Sequence, residues 1–123
     1  MLGNVESLVY VCAIINVTTS MQKLQSFIYE GSAITFDNGN GDVMVNATEM
    51  AKPFDKRTTH WLQNQNTKAF IEELSAVRNL TPTDLVKVIN GGVEFGTWMH
   101  EDVALEFARW LNPRFAIWCN DRI

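Results

Sequence analysis

The spacing of hydrophobic and polar positions changes repeatedly along the chain, and each change predicts an element. Two short extended stretches, Leu24–Tyr29 and Ala33–Phe36, flank Glu30-Gly31-Ser32 and predict a hairpin turning at Gly31. The polar cluster Asp37-Asn38-Gly39-Asn40-Gly41-Asp42 predicts a second turn leading into a strand at Val43–Val45. The cluster is only superficially like a calcium loop, because no closing glutamate or flanking helix pair accompanies it. A helical period follows. Asn46-Ala47-Thr48-Glu49 has a capping residue with Glu three positions on, and Pro53 ends the helix it starts. Thr58 or Thr59 can cap a second helix through about Asn64. Thr67 can cap a third through Arg78, with Phe70, Ile71, Leu74 and Val77 at helical spacing.

Thr81-Pro82-Thr83-Asp84 places proline at the first helical position of one short turn. Val86–Ile89 and Val93–Met99, joined through Asn90-Gly91-Gly92, predict another hairpin. Helix His100–Leu111 puts Val103, Phe107, Trp110 and Leu111 on one side and Asp102, Glu106 and Arg109 on another. Asn112-Pro113 then restarts the chain into a last helix. This order predicts an α+β fold: short antiparallel strands with a helical cluster.

The length of 123 residues fits one compact domain, and a hydrophobic share of 46% with seven Phe and four Trp supplies a core. The apolar run Leu8–Val17 is too short to span a bilayer, which takes about 20 residues, and lacks the basic lead of a signal peptide. Residues 1–20 read as an N-terminal extension or an extra strand, and residues 21–123 as the domain. The last helical pattern stops without a capping glycine or polar tail, as expected of a domain cut from a longer protein. Cys12 and Cys119 have no metal-site or redox spacing and read as small core residues. His60 and His100 have no Cys or carboxylate at ligand spacing, so no metal and no cofactor is expected.

The net charge of −4 opposes a nucleic-acid function until the distribution of charge is considered. Between Lys52 and Lys68 the chain carries Lys52, Lys56, Arg57 and Lys68 against Asp55 alone. On a helical wheel, Thr58, Trp61, Leu62 and Gln65 share one side. Lys56, Arg57, His60, Gln63 and Asn64 share the other if the helix extends back one turn. The second face is rich in donors: Arg, Gln and Asn can pair with purine edges in the major groove, while Lys and Thr suit phosphate oxygens.

Three separated blocks carry a resemblance. They are Gly41-Asp42-Val43-Met44-Val45-Asn46-Ala47-Thr48-Glu49-Met50-Ala51-Lys52, then Gly96-Thr97-Trp98-Met99-His100, then Trp110-Leu111-Asn112-Pro113-Arg114-Phe115-Ala116. In this order they resemble the KilA-N domain, a DNA-binding module of phages and large DNA viruses related to the fungal APSES domain. The resemblance covers roughly Leu24 to the end. It implies a winged helix-turn-helix-like unit over Asn46–Met99, with a recognition helix at about 57–65 and a hairpin wing at about 86–99. The expected partner is double-stranded DNA, contacted by Lys52, Lys56, Arg57, Thr59, His60, Gln63, Asn64, Lys68, Lys87 and Asn90; Glu94 would repel phosphate. Gly96 and Trp98 read as structural, and Asn46 as a helix cap. The resemblance further implies a phage or prophage regulator of antirepressor type in the bacterial host cytoplasm. A repressor or other protein would be engaged through a separate C-terminal domain. Acidic pairs such as Glu72-Glu73 and Glu101-Asp102 sit where helix dipoles favour them, so no enzyme is expected. The alternative from another class is an acidic protein-interaction module that contacts a repressor or host protein and never touches DNA.

Overall fold

The computed structural model describes residues 24–92 and 94–123. The chain opens with strands β1 (Leu24–Tyr29), β2 (Ser32–Asn40) and β3 (Asp42–Asn46). Helix α1 (Ala47–Ala51) and a 3-10 turn (Lys52–Phe54) follow, then α2 (Thr58–Leu62) and α3 (Gln65–Arg78). After the one-turn α4 (Pro82–Leu85) come β4 (Val86–Ile89) and β5 (Gly96–His100), and finally α5 (Glu101–Leu111) and α6 (Pro113–Arg122). The strands form one antiparallel sheet in the order β1-β2-β3-β5-β4. This is the expected α+β architecture.

Local chemistry explains most boundaries. Glu30 and Gly31 both take positive φ, the geometry of the tight two-residue turn joining β1 to β2. Asn46 caps α1 by accepting the Glu49 N–H, and Asn112 caps α6 by accepting the Phe115 N–H. Thr81 and Asp84 form a complete reciprocal capping box on α4.

Several expectations need correction. The polar cluster after Phe36 is not all turn, because β2 runs on to Asn40 and only Gly41 separates it from β3. An irregularity between Asp37 and Asn40 absorbs the extra residues, and the Gly39 N–H bonds the Asp37 carboxylate. The segment 57–65 is not one helix: α2 stops at Leu62, and Asn64 turns extended (φ −65°, ψ 136°) before α3 starts at Gln65. Thr67 is therefore a buried residue inside α3 and not its cap. Neither Thr58 nor Thr59 caps α2, whose capping position belongs to Arg57 without a side-chain bond. The last strand begins at Gly96 and not at Val93, which lies outside the described residues, as do residues 1–20 and Cys12.

One face of the sheet buries Ile34, Phe36, Val45 and Met99. Helix α5 lies against β3 and β5, with Val103, Ala104, Phe107 and Ala108 fully buried. Two aromatic groups tie in α2 and α6. Tyr29, Phe54, Phe115 and Trp118 pack together beside β1 and α6. Trp61 of α2 packs on Phe107 with ring centres 5.2 Å apart, and Phe107 stacks on Trp110. Trp61 thus fixes α2 to the core and leaves its other side to solvent.

Candidate nucleic-acid interface

With Trp61 buried and Leu62 half-buried, Thr59, His60, Gln63 and Asn64 are exposed at α2 and the turn after it. Gln65 is exposed too, contrary to the helical wheel, because the break at Asn64 starts a new helix axis. Gln63, Asn64, Gln65 and Asn66 therefore form a run of four exposed carboxamides leading into α3, followed by exposed Lys68. No carboxylate occurs between Lys56 and Ile71. Hydrogen-bond donors dominate this surface, as recognition of base edges and phosphates requires.

The cations are less uniform. Arg57 is exposed immediately ahead of α2. Lys56 does not lie on the helix, since the helix does not extend back to it. Its ammonium sits 4.6 Å from the Trp110 ring centre and donates to the Trp110 carbonyl at 3.3 Å. The group is exposed but anchored to the C-terminal end of α5, where positive charge is favoured. Lys52 lies apart from these, bordering a small hollow with Asn46, Thr48, Glu49 and Phe95 at the loop end of the β4–β5 hairpin.

At that hairpin, Asn90 is exposed, and Gly91 and Gly92 have positive φ with open space where a side chain would be. Lys87 is exposed on β4 opposite Trp98, but it lines a depression with Asp37, Asp42, Asp84 and His100. Lys87 therefore keeps company with carboxylates and not with α2. The carboxyl of Asp84 is held below the ordinary carboxylate range, first by the Thr81 backbone N–H, then by the Thr81 side chain.

The loop end of the hairpin is fixed by bonds from a distant stretch of chain. The Asn46 amide donates to the Phe95 carbonyl at 3.2 Å while its oxygen caps α1. The Thr97 N–H donates to the Thr48 hydroxyl, and the Trp98 indole N–H donates to the Glu94 carbonyl at 2.8 Å. Gly96, with φ +128°, presses on Asn46 so closely that a Cβ there would lie 3.0 Å from both side-chain polar atoms. The structural roles expected of Asn46, Gly96 and Trp98 are those observed. Neither Thr48 nor Phe95 was legible as part of this region, since both depend on pairing across 49 residues.

Several acidic groups are engaged within the fold. Glu49 accepts the Thr35 N–H at 2.7 Å instead of completing a local capping box, and Glu101 accepts the Val43 N–H at 2.9 Å. Asp102 pairs with Arg78, and Glu106 with Arg109. Lys52, Arg57 and Lys68 make no ion pair among the described residues. All three of these cations face solvent. Among the described residues, no group of three or more His, Cys, Asp or Glu is placed to hold a metal ion, and no helix is long and apolar enough to cross a membrane.

The family model for the KilA-N domain matches residues 27–123. Three KilA-N domain-containing proteins of Acanthamoeba polyphaga mimivirus are similar to the chain. One is 32% identical over 81 residues, covering 59% of this chain and 23% of that protein. A second is 33% identical over 80 residues, covering 63% of the chain and 20% of that protein. The third is 27% identical over 88 residues, covering 69% and 18% respectively. The chain thus spans about a fifth of the length of these relatives. No solved structure matches it.

Proposed function

The chain belongs to the KilA-N domain family, a DNA-binding type of module, and from that membership we propose that residues 21–123 bind double-stranded DNA. In this proposal α2 and the turn into α3 face the major groove, and the β4–β5 hairpin acts as a wing beside them. The observation that carries the assignment is the segment from Arg57 to Lys68, which contains no carboxylate, exposes Arg57, Thr59, His60, Gln63, Asn64 and Lys68, and is held in place by Trp61. Gln63 and Asn64 are assigned to base edges, with Thr59 and His60 beside them. Lys52, Lys56, Arg57 and Lys68 are assigned to phosphates, and Asn90 to the wing tip. Lys87 is the weakest member of the set because of its carboxylate neighbours.

The whole protein is proposed to be an antirepressor-type regulator of a phage or prophage, acting in the cytoplasm of a bacterial host. This module would supply targeting, and a further domain would engage a repressor or other protein. The acidic composition favours the rival, a protein-interaction module that bypasses DNA. The engagement of the Glu49 and Glu101 carboxylates by backbone N–H groups, and of Asp102 by Arg78, leaves fewer acidic groups free for such a partner.

Selection from a randomised duplex pool, repeated with variants, tests the assignment. Replacing Gln63 or Asn64 by Ala should relax preference at one base position, at a cost of about 1–3 kcal/mol. Replacing Arg57 by Ala should weaken all sequences alike. Uniform loss for Gln63→Ala and Asn64→Ala would place a different element in the groove.

A further inference from the structure

Phe95 is a large aromatic side chain in the β4–β5 loop, next to the closing pair Ile89–Gly96, and it is 59% exposed. Among the described residues it is the only aromatic of the exposed large hydrophobics; the others are Ile28, Val77, Val88 and Ile117. Its backbone is not free to fold the ring away. The Phe95 carbonyl is gripped by buried Asn46, the preceding Glu94 carbonyl by the Trp98 indole, and the following Gly96 is wedged against the Asn46 side chain. Asn46 is itself pinned by capping α1, so the bonds that build this end of the hairpin also fix the backbone that carries the exposed ring.

Leaving most of such a ring in solvent forgoes stabilisation that burial would bring. Holding its backbone on rigid supports removes an ordering cost that binding would otherwise incur. Lys52 borders the same hollow. The neighbouring Glu49 carboxylate also borders it, but that group is engaged by the Thr35 N–H. An apolar ring beside a cation matches a nucleic acid, whose base faces are flat and apolar and whose backbone is anionic.

We propose that Phe95 is an apolar wedge that enters between base pairs of duplex DNA while Lys52 holds an adjacent phosphate. This rests on the DNA-binding assignment above and adds to it a residue that reads deformability. Partial insertion is cheapest at pyrimidine–purine steps, which unstack and kink readily. The wing would then favour sites with such a step at a fixed distance from the bases contacted by α2, without hydrogen-bonding to that step.

The test uses the full chain and a short duplex of alternating T·A steps carrying 2-aminopurine, whose fluorescence rises on unstacking. The wild type should bind at low salt and raise the fluorescence. Phe95→Ala should abolish the rise and weaken binding roughly ten- to a hundredfold, whereas Phe95→Leu should keep part of both. Thermal unfolding should be nearly unchanged for both variants, because the ring contributes little to the core. Binding by Phe95→Ala with the wild-type affinity and the same rise overturns the wedge and leaves DNA binding standing. Tighter wild-type binding to the matching single strand than to the duplex also overturns it. Failure of the wild type to bind any duplex overturns the DNA assignment and the wedge together.

Discussion

Cys119 shows how strongly burial governs single residues in this fold. It sits fully buried on α6, and removal from water pushes its thiol pKa up from 9.0 to about 12. Because the folded value is raised, the fold favours the protonated thiol. Its contribution to stability is complete below pH 9.0 and declines as pH rises from there through about 12. In a Cys12→Ser background, the remaining thiol should resist an aromatic disulfide reagent at pH 8 until the protein is unfolded by urea. Rapid labelling of the native protein would contradict this burial. The small-core-residue reading of Cys119 was legible from sequence because it required only the absence of a motif. The position of Lys56 was not, since its place over Trp110 depends on a contact across 54 residues.

At the scale of elements, the link between α1 and the β4–β5 hairpin is the most consequential feature. Asn46 caps one element with its oxygen and grips the other with its amide, so the two cannot move independently. Gly96 permits this by lacking a side chain. Gly96→Ala should therefore cost about 3 kcal/mol or more, from positive-φ strain and displacement of a buried polar side chain. Gly91→Ala, also at positive φ but in open space, should cost about 1 kcal/mol. Urea unfolding of both variants checks the contrast; equal losses would mean that contact with Asn46 contributes nothing.

Capping residues made much of this level readable. Asn46, Thr81 with Asp84, and Asn112 each act within three positions of their own helix start. Where the capping signal was weak, as at α2 and α3, the boundary was misplaced. The extended turn at Asn64 has no side-chain bond to announce it. The partner of Glu49 was hidden for a related reason: its carboxylate accepts from a strand 14 residues earlier.

For the whole molecule, the question is how an acidic chain can bind a polyanion. Composition alone favours the protein-interaction alternative. The fold alters that balance by engaging several carboxylates in strand and helix contacts while leaving Lys52, Arg57 and Lys68 unpaired among the described residues. The motif order made the family and the α+β class legible. How the candidate site is assembled was less so, because Lys52, Lys56 and Lys87 each occupy a setting that arises only when distant strands and helices meet. The central claim is that local charge, not net charge, decides the partner. The most direct measurement is binding to random-sequence duplex DNA as a function of salt. Contacts from Lys52, Lys56, Arg57 and Lys68 predict a log–log slope of about −3.6, from roughly −0.9 per phosphate. No detectable binding to duplex DNA even at low salt would contradict the account and favour the protein-interaction module.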